Sequence, residues 1–267
     1  MKDIMKRATI LFLIVVLTVG ITNFAQGTLQ TLHLDGSADR VVVDSSPALN
    51  PSGAITIEAW IRPITIAGYQ TIVGNDYRSG YWLGLASGKI RYYTNGLGTY
   101  RDGVKAVPIG EWTHVAAAFD GTTRRYYING ILDLEQSTPS PMPVNISKLG
   151  IGGEALAIPS FYEFSGDIAE VRIWSKARSL TEIRRDMVRQ IDGPVSDLTA
   201  VWHMDGSETD ALGLYTSSLE GSADFSGTSA PPVPFGPVQI PGIAVNPTVD
   251  GLCSFANGYF RVPIWYD

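Results

Sequence analysis

The sequence predicts an all-β protein, a two-sheet antiparallel sandwich carrying one short helix. Three observations predict it. Short segments alternate apolar and polar residues one by one. Turn residues separate those segments at close intervals. The composition holds 28 Gly, 16 Pro and 12 Tyr with only 17% charged residues, against the charge-rich pattern of helical bundles.

Residues 1–26 read as an export signal. Lys2, Lys6 and Arg7 form a positive start, residues 10–21 are almost wholly apolar, and the small residues Ala25 and Gly27 follow. That apolar run falls short of the ~20 residues a retained membrane span needs, so no membrane insertion is expected after signal removal. The remaining chain of about 240 residues suits one large sandwich over 27–228. Alternation is clearest at 55–61, where Ile55, Ile57, Ala59 and Ile61 interleave with Thr56, Glu58 and Trp60. Further strands are expected at 32–34, 40–43, 71–73, 81–85, 90–94, 113–119, 124–128, 148–151, 167–174 and 200–204. Asp120-Gly121 and Asn129-Gly130 bracket the 124–128 strand with residues that tolerate the positive φ of tight hairpins, giving a three-strand meander. The helix starts at Ser179, where Ser-Leu-Thr-Glu spells a capping box and Ile183 and Met187 supply one apolar face. Six prolines in the seventeen residues 231–247 suit an extended linker, placed at 229–247. Residues 248–267 then form an appended strand or the start of a further domain.

A net charge of −6 without any Lys/Arg block argues against nucleic acid and anionic membrane surfaces as partners. Cys253 is the single cysteine, which excludes an intrachain disulfide and a cysteine-ligated zinc. No Gly-rich loop joins a strand to a helix in the manner of a phosphate cradle, so nucleotide binding has no support.

Four blocks in order, "LHLDGSADRVVVDSSPALNPSGAITIEAWIRP" (32–63), "GEWTHVAAAFDGTTRRYYINGILD" (110–133), "GDIAEVRIWSKARSLTEI" (166–183) and "AVWHMDGS" (200–207), resemble the laminin-G-like domain. The resemblance implies a jelly roll of the concanavalin A-like lectin/glucanase superfamily. Such domains occur in secreted multidomain proteins, often as carbohydrate-binding or adhesive modules, and often with calcium. Fold alone does not define the ligand.

Glycosidases also use this fold, and glycoside hydrolysis needs two carboxylates across the scissile bond. Laminarinase-like members carry a Glu-x-Asp-x-x-Glu strand, which this sequence lacks; its nearest approach is Asp133-Leu134-Glu135. His33, His114 and His203 fall inside predicted strands without a nucleophile elbow, and read as structural. No catalytic residue is therefore assigned.

Calcium takes six to eight oxygens, so Asp-Gly loops have the right chemistry. Asp35 and Asp39 share one turn and Asp167 and Glu170 open a later strand, and the resemblance implies that the two segments lie side by side. These four are the candidate ligands of a structural Ca2+; the alternative is an ordinary turn and a Glu170–Arg172 pair.

Sugar binding needs aromatic platforms with polar groups beside them. The candidates are Tyr77, Arg78, Trp82, Tyr93, Tyr100, Arg101 and Tyr127, with Arg91 and Tyr93 on one strand face opposite Ile90 and Tyr92. Cross-strand packing is the competing use of such aromatics. Trp60, Trp112, Trp174 and Trp202 are assigned to the framework, and the role of Glu58 is open. Asn145-Ile146-Ser147 is a glycosylation sequon only in a eukaryotic secretory route.

The expected function is a secreted, non-catalytic binding or adhesion module for extracellular glycan. A structural or protein-binding module of a cell-surface protein is the alternative, and a glycoside hydrolase a third.

Overall fold

The computed structural model describes residues 30–76, 80–94, 101–137, 139, 147–155 and 162–231, with the backbone of 254–256 and 259–261. The expected signal peptide, the linker from 232 to 247, Asn145 and Cys253 lie outside the described residues.

The strands run β1 (Thr31–Asp35), β2 (Arg40–Val43), β3 (Ile55–Pro63), β4 (Tyr69–Gly74), β5 (Tyr81–Ala86), β6 (Lys89–Thr94), β7 (Thr113–Phe119), β8 (Thr123–Ile128), β9 (Ile131–Ser137), β10 (Leu149–Ile151), β11 (Ser165–Trp174), β12 (Leu198–Trp202), β13 (Ser217–Glu220) and β14 (Asp224–Gly227). One helix, α1 (Leu180–Asp186), precedes β12. An eight-stranded sheet has the order β14-β1-β11-β3-β7-β8-β9, with β12 also on β11, and a six-stranded sheet has the order β13-β2-β10-β4-β5-β6. All pairings are antiparallel, so the two-sheet sandwich predicted from alternation is observed. β15 (Ser254–Ala256) and β16 (Tyr259–Arg261) form a separate two-stranded pair.

The core is the interleaving of the two inner faces. Ile55, Ile57, Ala59 and Ile61 of β3 join Val115, Ala117 and Phe119 of β7 from one sheet, and Val41, Val43, Leu83, Leu85 and Ile90 from the other. All are buried, as a period of two demands when one face of each strand meets the opposing sheet. The meander β7-β8-β9 forms around the expected turns, with Asn129 and Gly130 both at positive φ.

The outer faces of the two sheets differ. On the eight-stranded sheet α1 and its flanking chain cover the surface. Ser179 caps α1 with both halves of the capping box present, and Ile183 packs on Ala116, Ala118 and Tyr127. Beneath this cover the sheet holds charge. Glu58 accepts a bond from the Trp174 indole at 3.0 Å and from Arg178 at 3.4 Å, with Arg172 at 3.6 Å. Arg178 stacks its guanidinium 3.7 Å from the Trp174 ring centre and pairs with buried Asp186. This network ties α1 to β3 and β11, which answers the open question about Glu58.

Candidate functional site

The outer face of the six-stranded sheet is where aromatic surface reaches solvent. Register places Thr71 opposite Gly84 and Gly84 opposite Arg91, while Gly74 faces Trp82 and Trp82 faces Tyr93. Tyr69, Thr71, Gly74, Trp82, Gly84, Arg91 and Tyr93 therefore share one face. Glycine at 84 is required locally: a Cβ there would sit 2.2 Å from the Gln70 carbonyl oxygen and 2.3 Å from the Trp82 ring. The indole lies flat across Gly84 and Gly74, and its N–H donates to Thr71 Oγ1 at 2.8 Å. Trp82 is only 5% exposed and forms a floor.

Above that floor stand Tyr69, 42% exposed, and Tyr162, 38% exposed. Their rings meet edge to face at 5.1 Å and 88°. The Tyr162 backbone is held by Thr71, whose N–H donates to the Tyr162 carbonyl. Arg91 lays its guanidinium 4.9 Å from the Tyr69 ring centre and donates to both oxygens of Asp102, at 2.5 and 3.0 Å. Burial works against the Arg91 charge, but the bonds to Asp102 and Tyr69 outweigh it and hold its pKa above the ordinary range. Arg91 is thus a fixed cation bridging a ring and a carboxylate. Arg101, exposed, adjoins Asp102.

Asp133 fixes this rim from the other sheet, its carboxylate accepting the Val104 and Lys105 N–H groups at 2.8 and 3.0 Å. Gly103 donates to the Ile90 carbonyl, and a Cβ at Gly103 would strike Asp133 Oδ2 at 2.4 Å. Asp133 therefore acts on backbone amides and Glu135 pairs with Arg125, so the Asp133-Leu134-Glu135 acids are each engaged.

The structure brings together some of the expected sugar-binding residues. Trp82 and Tyr93 are direct cross-strand partners, and Arg101 lies at the same rim. Tyr77, Arg78 and Tyr100 lie outside the described residues. Tyr127 departs from its expected role: it is 3% exposed, packed under α1 against Ala116, Ala118 and Ile183. Its alternation with inward Tyr126 turns it away from the core, but the helix covers that face. Tyr69 and Tyr162 were not foreseen. Tyr69 stands two residues before the expected strand at 71, and only the outward parity of Thr71 could have flagged it.

Of the calcium candidates, Asp39 accepts the Asp35 and Ser222 N–H groups and the Ser222 hydroxyl, and Asp35 accepts from Ser37 and Ser222. Burial opposes the Asp39 charge, but those bonds outweigh it and hold its carboxyl below the ordinary range. Asp167 turns to Arg62 at 2.5 Å and His33 at 2.9 Å, and Glu170 to Arg172 at 2.7 Å and His203 at 2.9 Å. Asp35 and Asp39 come together, while Asp167 and Glu170 meet basic partners. Among the described residues no three Asp, Glu, His or Cys side chains converge as a ligand set.

Two open depressions of about 610 Å³ each lie elsewhere. One sits at Pro47–Leu49 beside Leu214 and Tyr215; the other sits between Arg125, Tyr127 and the start of α1.

Two stacked antiparallel sheets with a single short helix among the described residues define a sandwich of the concanavalin A-like type. The chain belongs to the laminin G group of the concanavalin A-like lectin/glucanases superfamily, whose family model matches residues 35–184. Mouse (Mus musculus) Pappalysin-1 is 26% identical over 196 residues, a match covering 63% of this chain and 12% of that protein. A Bacteroides ovatus protein provisionally called carbohydrate-binding superposes with a TM-score of 0.62 at 20% identity, over 76% of this chain and 61% of its own. Domain 4 of AbnA, an extracellular arabinanase of Geobacillus stearothermophilus solved with arabinotriose, has a TM-score of 0.46 at 19% identity, over 57% of this chain and 73% of its own. This chain thus spans a small part of the curated relative and about three fifths of the Bacteroides protein.

Proposed function

We propose that the chain is a non-catalytic glycan-binding module acting outside the cell, with the outer face of the six-stranded sheet as its platform. The carrying observation is the pair of exposed rings, Tyr69 and Tyr162, fixed edge to face beside the Arg91–Asp102 fork. Apolar pyranose faces bury against aromatic rings, while a held carboxylate and guanidinium offer the directional bonds that hydroxyls need. The name of the Bacteroides ovatus protein supports the reading. The apolar run at 10–21 supports export.

Calorimetric titration of the full chain with a glycan panel, with calcium present, tests this. Binding that is lost in Tyr69→Ala and retained in Tyr127→Phe supports the platform. Silence across neutral and acidic oligosaccharides sinks it.

A protein-binding module is favoured by one different observation. Edge strand β9 presents Ile131 and Leu132 half exposed beside a strand edge that pairs with no other strand among the described residues, a surface suited to an added strand.

A further inference from the structure

Arg124 on β8 lies inside the sandwich and is 1% exposed. Its register partner on β7 is Phe119, an inward residue, so its side chain projects between the sheets. One nitrogen, Nη2, reaches the Thr94 hydroxyl on β6 at 3.2 Å. Among the described residues, buried Nε and Nη1 have no hydrogen-bond partner and no carboxylate pairs with the guanidinium. Stacking against the Phe119 ring at 5.5 Å supplies its remaining attraction. A buried cation without a counter-charge is costly, and native structures pair such groups.

A second unused donor stands close by. The Tyr92 ring packs on the same Phe119 ring at 6.1 Å, and its buried hydroxyl has no hydrogen-bond partner among the described residues. Burial pushes that phenol well above its ordinary pKa, so it stays a donor. The Tyr126 hydroxyl is already spent on the Tyr92 backbone, accepting from its N–H at 3.0 Å and donating to its carbonyl at 3.2 Å. Two N–H groups, one O–H and a net positive charge remain between β6 and β8 without a hydrogen-bond partner among the described residues, beside the buried side-chain oxygen of Gln136, which faces Arg124 from β9.

We propose that Arg124 Nε and Nη1, with the Tyr92 hydroxyl, hold a small monovalent anion, a halide or a carboxylate, between the sheets. This site is independent of the glycan platform, which lies on the outer side of the same sheet.

The test uses the full chain at constant ionic strength, with thermal unfolding read against bromide, acetate or sulfate, and crystals grown in bromide. The expected result is an anomalous bromide peak at Arg124 and a midpoint that climbs with the logarithm of bromide or acetate concentration. A tenfold increase above the dissociation constant adds about 1.4 kcal/mol of stability by mass action. Sulfate, larger and doubly charged, should give no such climb. Arg124→Met should abolish the dependence, and Tyr92→Phe, which keeps the packing, should weaken the affinity several-fold. Water density in place of bromide, a slope shared by sulfate, or an unchanged slope in Tyr92→Phe and Arg124→Met would overturn the proposal. Should Arg124→Met not fold, Tyr92→Phe and the bromide peak still decide it.

Discussion

Tyr69 and Tyr162 meet edge to face although they arise from distant parts of the chain, one opening β4 and the other preceding β11. Because both rings are partly exposed and stand outside the core, their substitution should leave the core untouched. Tyr69→Ala and Tyr162→Ala are each expected to lower glycan affinity about tenfold, or ~1.4 kcal/mol, without shifting the urea midpoint. Since each ring positions the other, the double variant should lose less than the sum of the two. Calorimetry on the four proteins checks both statements.

Gly84 is the position on which the platform floor depends. An alanine Cβ would collide with the Gln70 carbonyl and the Trp82 ring, so either the β4–β5 pairing opens or the indole lifts. Gly84→Ala should cost about 1–3 kcal/mol, the usual penalty of overpacking. The same displacement breaks the bond from the Trp82 N–H to Thr71. Faster hydrogen exchange at that indole, with the other indoles unchanged, is the expected signature.

Eleven strands were legible by range, and β9 as the third strand of the meander, because their period of two is strong where one face is core, as at Ile55, Ile57, Ala59 and Ile61. Strands β13 and β14 escaped because Ser217–Glu220 and Asp224–Gly227 are short polar edges whose pairing to β2 and β1 is dictated from outside. The site was legible in part. Trp82 was a candidate by residue type alone, while alternation placed Arg91 and Tyr93 on the face opposite Ile90 and Tyr92. It was silent on Tyr162, which follows no periodic segment and is located by its carbonyl accepting from Thr71. Nor could it show that α1 seals the face bearing Tyr127 while leaving the face bearing Tyr69 open. Which face is covered depends on contacts between segments far apart in the chain, and local pattern carries no such information.

Glu58 sits fully buried among cations, so its removal has a one-sided effect. Burial pushes its carboxyl up, Arg172 and Arg178 pull it back, and the Trp174 indole donates to it. Glu58→Ala leaves a cavity and an incompletely paired Arg172 and Arg178, although Glu170 and Asp186 still engage them. The expected loss is about 3 kcal/mol in urea unfolding. Glu58→Gln should lose less, because an amide oxygen still accepts from Trp174.

His114 and His203 should set opposite limits on the stability of this chain with pH. His114 is buried beside Trp60, and burial, followed by the charges of Arg172 and Arg178, pushes its pKa from 6.5 down to about 3. A base whose folded pKa is depressed stays neutral in the fold while the unfolded chain protonates. Its contribution is therefore complete above 6.5 and is lost as pH falls toward 3, at up to about 1.4 kcal/mol per pH unit. His203 is the reverse. Burial opposes its charge, but the 2.9 Å bond to Glu170 and the fields of Glu170, Asp205 and Asp192 outweigh it and raise its pKa. That contribution is complete below 6.5 and is lost as pH rises through the folded value. The pair predicts a stability maximum near the ordinary histidine pKa. Urea midpoints measured across pH should fall less steeply on the acid side in His114→Gln, and less steeply on the alkaline side in His203→Gln. Parallel curves for wild type and either variant would contradict the corresponding assignment.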